Sequence, residues 1–146
     1  MADPTQRVIP MLAYEDAGRA ADWIAGAFGF RETGRWNDPD GTVSHVNMEL
    51  GDGIFMLGHP SADYQGPRRH AEVCEHARRW LKTPYVVDGV LAYVDDLDAH
   101  FARAKKAGAK ILTDIESNHD QRQYRAEDLE GHRWMFAEAH RRNHAA

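Results

Sequence analysis

Apolar residues recur along the chain at helical spacing in two separate segments. One apolar stripe at three- and four-residue spacing follows Asp16 and stops at Gly29, and a second follows Asp95 or Asp96 and stops at Gly108. Aspartate is a favourable N-cap, and glycine readily takes the left-handed conformation that often follows a helix. The pattern therefore predicts two similar helices.

Strand-type segments surround each of these helices. A match of Leu-Ala-Tyr-x-Asp, with an offset of 79 between Leu12 and Leu91, precedes both helices. Three further segments follow each helix: near 30–36, Thr42–Leu50 and Ile54–Leu57 in the first copy, and near 110–115, Gln123–Glu127 and Arg133–Ala137 in the second. The order predicts a β-α-β-β-β unit that occurs twice, which is an α+β fold.

The repeat also predicts how the chain is organised. Residues 1–146 are expected to form a single domain, with module one at 7–57, a connector at 58–86 and module two at 87–139. Each module alone can bury little apolar surface. We therefore expect the two modules to share one core around a pseudo-twofold axis.

Composition and charge exclude several classes of function. The chain has 18 basic and 23 acidic side chains, a net charge of −5 that argues against a nucleic-acid partner. Its one cysteine, Cys74, excludes an intramolecular disulfide framework and a cysteine-only metal site. Apolar runs are far shorter than the roughly 20 residues needed to cross a membrane. With a polar N-terminal segment, this predicts a cytoplasmic protein without a membrane partner.

Three motifs carry a resemblance to a known family. They are Pro10–Asp16 with Phe28-Gly29-Phe30, Ala92–Asp96 with Ala107-Gly108-Ala109, and the hairpin Arg122–Trp134. Together they resemble the vicinal-oxygen-chelate superfamily of glyoxalase, bleomycin-resistance and extradiol dioxygenase proteins, although Leu129 stands where that family usually has proline. The resemblance implies two β-α-β-β-β modules that form a cup-shaped mixed sheet, with the helices outside and the function inside the cup.

The positions that carry metal ligands in the superfamily hold unsuitable residues here. The resemblance places them at Ile9 or Pro10, Met56, Gly89 or Val90, and Met135. None is an imidazole or carboxylate, and a register shifted by one residue adds only Asp88. We therefore predict no metal and no other cofactor.

Alternation along Thr42–Leu50 predicts which side chains line the cup. His45, Asn47 and Glu49 share one face of this strand, and the apolar residues between them suit the face under the first helix. A polar strand face is also what a simply solvated sheet presents. Within the resembling fold, however, that face is the cup, so Glu49 and His45 become candidate acid–base groups.

The complete predicted ligand-binding set comes from both modules: Trp36, His45, Asn47, Glu49, Met56, Tyr93, Arg122, Tyr124 and Met135. Trp36 is either an exposed residue at the edge of the sheet or a ring on which the ligand stacks. Arg122 suits either an inward anion contact or an ion pair with Glu49. Tyr93 has a repeat counterpart in Tyr14, which weakens any special role for it.

The preferred function is a metal-independent binding protein, working as a homodimer, that sequesters an apolar or aromatic small molecule. One alternative is a lyase or isomerase that uses Glu49 or His45 in acid–base catalysis. A second is a metal-dependent or dioxygenase-like member whose ligands have moved to residues such as these, and a third is a protein-interaction module with a filled cup. No nucleophile elbow, phosphate loop or dinucleotide motif is present, so catalysis stays an open question.

Overall fold

Two four-stranded mixed sheets with the same strand order form the fold. The structure is a computed structural model that describes residues 6–85, 88–118 and 120–139. The elements in chain order are β1 Met11–Ala13, α1 Ala17–Phe28, β2 Arg31–Asn37, β3 Val43–Leu50, β4 Gly53–Gly58, α2 Pro67–Val73, α3 Glu75–Trp80, β5 Gly89–Tyr93, α4 Leu97–Lys106, β6 Lys110–Ser117, β7 Gln121–Glu127 and β8 Arg133–Ala139. The sheet orders are β1-β4-β3-β2 and β5-β8-β7-β6. The predicted α+β fold with two β-α-β-β-β modules is confirmed.

Both long helices begin and end where the sequence predicted. The Asp16 carboxylate accepts the N–H of Arg19 at 3.0 Å, and the Asp96 carboxylate accepts the N–H of Ala99 at the same distance. Of the two aspartates considered for the second helix, Asp96 is therefore the N-cap. Gly29 follows α1 with a φ of 79°, a backbone conformation that side chains other than glycine rarely adopt.

The two copies align differently at their first strands than the sequence match suggests. Met11 pairs with Met56 in module one, and Leu91 pairs with Met135 in module two, so Met11 corresponds to Leu91 with an offset of 80. Tyr14 and Tyr93 are consequently not equivalent. Tyr14 is fully buried, whereas Tyr93 is 56% exposed.

The shared core lies where the helix-bearing sides of the two modules meet. The Trp23 indole donates to the Ala107 carbonyl at 3.2 Å, which joins α1 to the end of α4. The Phe28 ring at the end of α1 lies 5.6 Å from the ring of Trp134 and 4.6 Å from that of Phe136, both on β8. One core therefore serves both modules.

The loop between β7 and β8 holds module one against module two. The Asp128 carboxylate accepts the Tyr14 hydroxyl at 2.5 Å and the Trp134 indole N–H at 3.1 Å. The Glu130 carboxylate accepts the N–H groups of Glu15 and Asp16 at 2.6 and 3.0 Å. The closing loop of module two thus contacts the start of α1 directly.

The connector packs on the same side of module two. The Arg68 guanidinium on α2 donates to the carbonyls of Asp128 and Leu129 at 2.8 and 2.9 Å. After α3, the carbonyl of Thr83 accepts from Arg133 at 2.5 Å. In the parts of the chain that the structure describes, no helix has the length and apolar character needed to cross a membrane.

A half-buried histidine at the module junction predicts how stability depends on pH. The ring of His100 lies between the carbonyl of Phe28, 2.8 Å from Nε2, and the hydroxyl of Tyr124, 2.6 Å from Nδ1. Since a carbonyl can only accept, Nε2 carries the proton and Nδ1 accepts from the tyrosine. Burial lowers the pKa of His100 below its usual 6.5, so the folded state resists a proton that the unfolded chain takes up.

We therefore expect the free energy of unfolding to fall as the pH drops through about 6.5 and to be fully present above it. Urea unfolding between roughly pH 7.5 and 5.5 measures this loss. His100→Gln keeps a donor for the Phe28 carbonyl but cannot titrate, so its loss should be smaller than that of the unsubstituted protein. An identical loss in both would exclude His100 as a source.

Candidate functional site

The sheet of module one presents a half-polar face away from α1. Val46 and Met48 on β3 are fully buried under α1, whereas His45, Asn47 and Glu49 are only partly buried on the other side. The hairpin turn is Gly51-Asp52, so Asn47 pairs with Met56 and Glu49 with Ile54. The sequence predicts a turn at Asp52-Gly53, one position later, which would pair Glu49 with Met56. The observed pairing differs by two residues, so every side chain stays on its predicted face. We call this surface the open face of module one.

Trp36, His45 and Asn47 form one contact cluster on this open face. Trp36 on the edge strand pairs with His45, and their rings lie 5.2 Å apart with an edge-to-face tilt. His45 Nε2 lies 2.6 Å from Asn47 Oδ1, a hydrogen bond that fixes both side chains. The Trp36 ring lies over Gly34, where an added Cβ would be 2.7 Å from it. The indole is nevertheless 51% exposed.

Glu49 lies at the other end of this face in an ion pair. Its carboxylate contacts the Arg31 guanidinium on β2, and its side chain remains 29% exposed. Arg31 itself is 75% exposed. The carboxylate therefore has a basic partner and access to water.

Module two has a corresponding open face on the side away from α4. Met135 on β8 lies between Leu91 on β5 and Arg125 on β7 in one cross-strand row. Beside this row the Tyr93 hydroxyl donates to Gln121 Oε1 at 2.7 Å. The Gln121 side chain donates in turn to Gln123 at 2.8 Å. We call this surface the open face of module two.

The predicted inward positions of Tyr124 and Arg122 are wrong. Tyr124 pairs with Phe136, is fully buried and lies under α4 beside His100. Arg122 has the same parity, and its guanidinium binds the carboxylates of Asp98 at 2.9 Å and Glu138 at 3.3 Å on the helix side. The loop of residues 128–132 sets a pairing in which odd-numbered residues of β7 reach the open face, so the even-numbered ones cannot.

Sequence reasoning missed the residues that replace Tyr124 and Arg122 on the open face. Gln121, Gln123 and Arg125 alternate on β7 and share the side of Met135. Their alternation was visible in the sequence, but the odd number of residues in the closing loop decides which set faces the core. Arg125 also lines a cavity of about 300 Å³ together with Tyr85 and Leu91.

Within one chain the two open faces are separate surfaces that come together at their edges. A cavity of about 260 Å³ where β4 meets β5 is lined by Ile54 of one face and Leu91 of the other. Neither this cavity nor the one beside Arg125 is lined by His45, Asn47 or Glu49. The open faces also keep large apolar groups exposed, among them Met11 at 72% and Tyr93 at 56%. Ligand-binding roles for these side chains stay a prediction.

The residues at the expected metal positions do not fit a hard divalent ion. On β1 and β5 the side chains that share a row with Met56 and Met135 are Met11 and Leu91. Thioether and alkyl groups are poor ligands for such ions. Within residues 6–85, 88–118 and 120–139, no three His, Cys, Asp or Glu side chains are grouped so that they could hold a metal.

A family model covers most of the chain. The sequence model of the Glyoxalase/Bleomycin resistance protein/Dioxygenase superfamily matches residues 8–136, and the chain belongs to this superfamily. An uncharacterized protein of Mycobacterium bovis is 28% identical over 134 residues, which cover 88% of this chain and 80% of that one.

Solved structures support the same assignment. The crystal structure of TioX from Micromonospora sp. ML1 matches with a TM-score of 0.66 and 32% identity, over 92% of this chain and 96% of TioX. TnmS3, an antibiotic binding protein from Streptomyces sp. CB03234, matches with a TM-score of 0.61 and 16% identity, over 92% of this chain and 98% of that one. The second match shows the shared fold alone.

A pair of neighbouring substitutions tests the sidedness of β3. Met48→Asp puts a charge at a fully buried position under α1 and should lower the free energy of unfolding by more than about 3 kcal/mol, or prevent folding. Asn47→Leu changes the open face and should alter it by no more than roughly 1 kcal/mol. Urea unfolding of both variants measures the contrast, and equal effects would show that the register is wrong.

Proposed function

We propose that the protein is a metal-independent binding protein that sequesters an apolar or aromatic small molecule on its open faces. The observation that carries the proposal is the composition of these faces. Each combines accessible aromatic, thioether or aliphatic side chains with a few polar groups held by hydrogen bonds, such as His45 and Asn47 on one and Tyr93 and Gln121 on the other. Mostly apolar walls with a few oriented polar groups are typical of small-molecule sites.

Binding is favoured over acid–base catalysis by the surroundings of Glu49. A catalytic base in this fold would require a carboxylate enclosed beside a pocket, where loss of water makes it more basic. Glu49 instead has access to water and a guanidinium partner in Arg31. The Nε2 atom of His45 is already engaged in a hydrogen bond with the Asn47 side chain. Neither group has the arrangement that the lyase or isomerase alternative needs.

The relatives support binding of a small molecule as the function. The superfamily includes bleomycin resistance proteins, and TnmS3 is an antibiotic binding protein. A protein of this fold can therefore bind an antibiotic. For this chain we propose an aromatic ligand of that kind, because Trp36 and Tyr93 are the accessible aromatic groups on the two open faces.

We further propose that the working form is a homodimer in which each site is shared between two chains. Within one chain the core lies between the helix-bearing sides of the sheets, and Met11, Leu91 and Tyr93 remain exposed. A twofold-related second copy can lay its module two open face against module one of the first. Such a dimer contains two identical cups and covers the exposed apolar groups.

Tryptophan emission tests the proposed function. Trp36 lies on the open face at 51% exposure, and Trp80 on α3 of the connector is similarly exposed at 49%. Titration with 2-naphthamide, an uncharged aromatic probe, and with bleomycin should change the emission of the protein in a saturable way. Trp36→Phe should remove most of that change, while Trp80→Phe, the matched control, should retain it. No saturable change with either compound, or the same change in both variants, would contradict the proposal.

A further inference from the structure

One guanidinium on the open face of module two has no polar partner. Arg125 donates its backbone N–H to Thr113, but in the described part of the chain its side chain makes no hydrogen bond or ion pair. It instead lies 5.8 Å from the centre of the Tyr85 ring, in a cation–π contact. On the same strand, Arg122 binds two carboxylates. Arg125 therefore has a full set of unused donors.

Arg125 lines the cavity of about 300 Å³ between the end of the connector and the sheet. Leu91 and Met135, its neighbours in the cross-strand row, form the apolar floor. Pro84 and Tyr85 of the connector form a wall. A cationic group against an aromatic ring in a concavity is less hydrated than one on an open surface, which strengthens its attraction for an anion.

A second arginine in the same cavity is buried and incompletely satisfied. Arg133 is 4% exposed and lies in the next cross-strand row, between Gly89 and Glu127. Its terminal nitrogens bind the Thr83 carbonyl and, at 3.2 Å, the Glu127 carboxylate. Its Nε is buried without a hydrogen-bond partner among the described residues. The Nε is enclosed by protein, so Arg133 contributes its positive charge to the cavity wall rather than a free donor.

The charges around the cavity leave it positive. Glu127 is the carboxylate that contacts Arg133, and it also contacts Arg68 on α2 at 3.1 Å. One negative charge is therefore shared by two positive ones, which leaves one positive charge in excess, and the unpaired Arg125 adds another. The protein as a whole carries −5, so any attraction for anions here is local.

We propose that this cavity is an anion subsite that binds the carboxylate of an aromatic acid. The proposal rests on the proposed function and narrows its ligand class. The Arg125 guanidinium binds the carboxylate through two parallel N–H···O bonds, a geometry that its planar fork matches. The charge of Arg133 keeps the electrostatic potential at the cavity wall positive. The aromatic ring of the ligand packs on Leu91, Met135 and Tyr85.

A matched pair of probes tests the subsite on the full chain. Calorimetric titration compares 2-naphthoate with 2-naphthamide, which share one ring system and differ in charge. The unsubstituted protein should bind the acid at least about tenfold more tightly than the amide. Arg125→Gln should reduce binding of the acid to the level of the amide and leave the amide unchanged. Arg122→Gln, which removes the same charge from the helix side of the same strand, should keep the preference.

The outcomes separate this subsite from the proposed function. If acid and amide bind equally to the unsubstituted protein, or if Arg125→Gln keeps the preference for the acid, the anion subsite is refuted while binding of aromatic molecules stands. If the acid alone binds and requires Arg125, the subsite is supported and the apolar site fails. If neither probe binds at millimolar concentration, the subsite is refuted. Urea unfolding of Arg125→Gln should stay close to that of the unsubstituted protein, because the substitution removes no hydrogen bond or ion pair of the described residues and only the contact with the Tyr85 ring.

Discussion

The buried carboxylate of Asp128 is the interaction on which the arrangement of the two modules depends. It is 1% exposed and has no basic partner among the residues described. Instead it accepts the Tyr14 hydroxyl, the Trp134 indole and the backbone N–H groups of Glu130 and His132. Burying a charge is costly unless hydrogen bonds replace its water. Burial and the nearby Asp128 charge raise the pKa of Tyr14, so its hydroxyl keeps the proton that it donates. The cost of leaving this carboxylate unpaired ties module one to module two.

This attachment is asymmetric, although the modules share one topology. The closing loop of module two spans residues 128–132 and contacts the start of α1 through Asp128 and Glu130. The corresponding turn of module one is only Gly51-Asp52. Opposite that turn, beside the start of α4, a cavity of about 470 Å³ remains. The helix-bearing sides are thereby held together at one end, and the open faces lie on the opposite sides of the two sheets.

The sequence predicted the fold well because its signals are local. The helix ends at Gly29 and Gly108 and the alternation along β3 each depend on residues that are close in the chain.

The faces of β7 depend instead on the number of residues in the loop before β8. The predicted strand pairing of module one differs from the observed one by two residues, which leaves every side chain on its predicted face. The predicted pairing of module two differs by one residue, which puts Arg125 on the open face in place of Tyr124. The Asp128–Tyr14 contact joins residues that are 114 positions apart, and neither residue type indicates it in the sequence. The sharing of each site between two chains, which we propose, likewise leaves no local pattern, because it depends on how whole modules pack.

The central claim is that each binding site combines module one of one chain with module two of another. The equivalent substitutions Met56→Trp and Met135→Trp should each fill one half of every cup and abolish binding of 2-naphthamide. Unfolding the two variants together and refolding them gives mixed dimers, in which one cup carries both substitutions and the other carries neither. Equilibrium dialysis should then recover about a quarter of the sites of the unsubstituted protein, because half of randomly formed dimers are mixed. If mixing restores no sites although both variants fold and form dimers, each site lies within one chain and the account is contradicted.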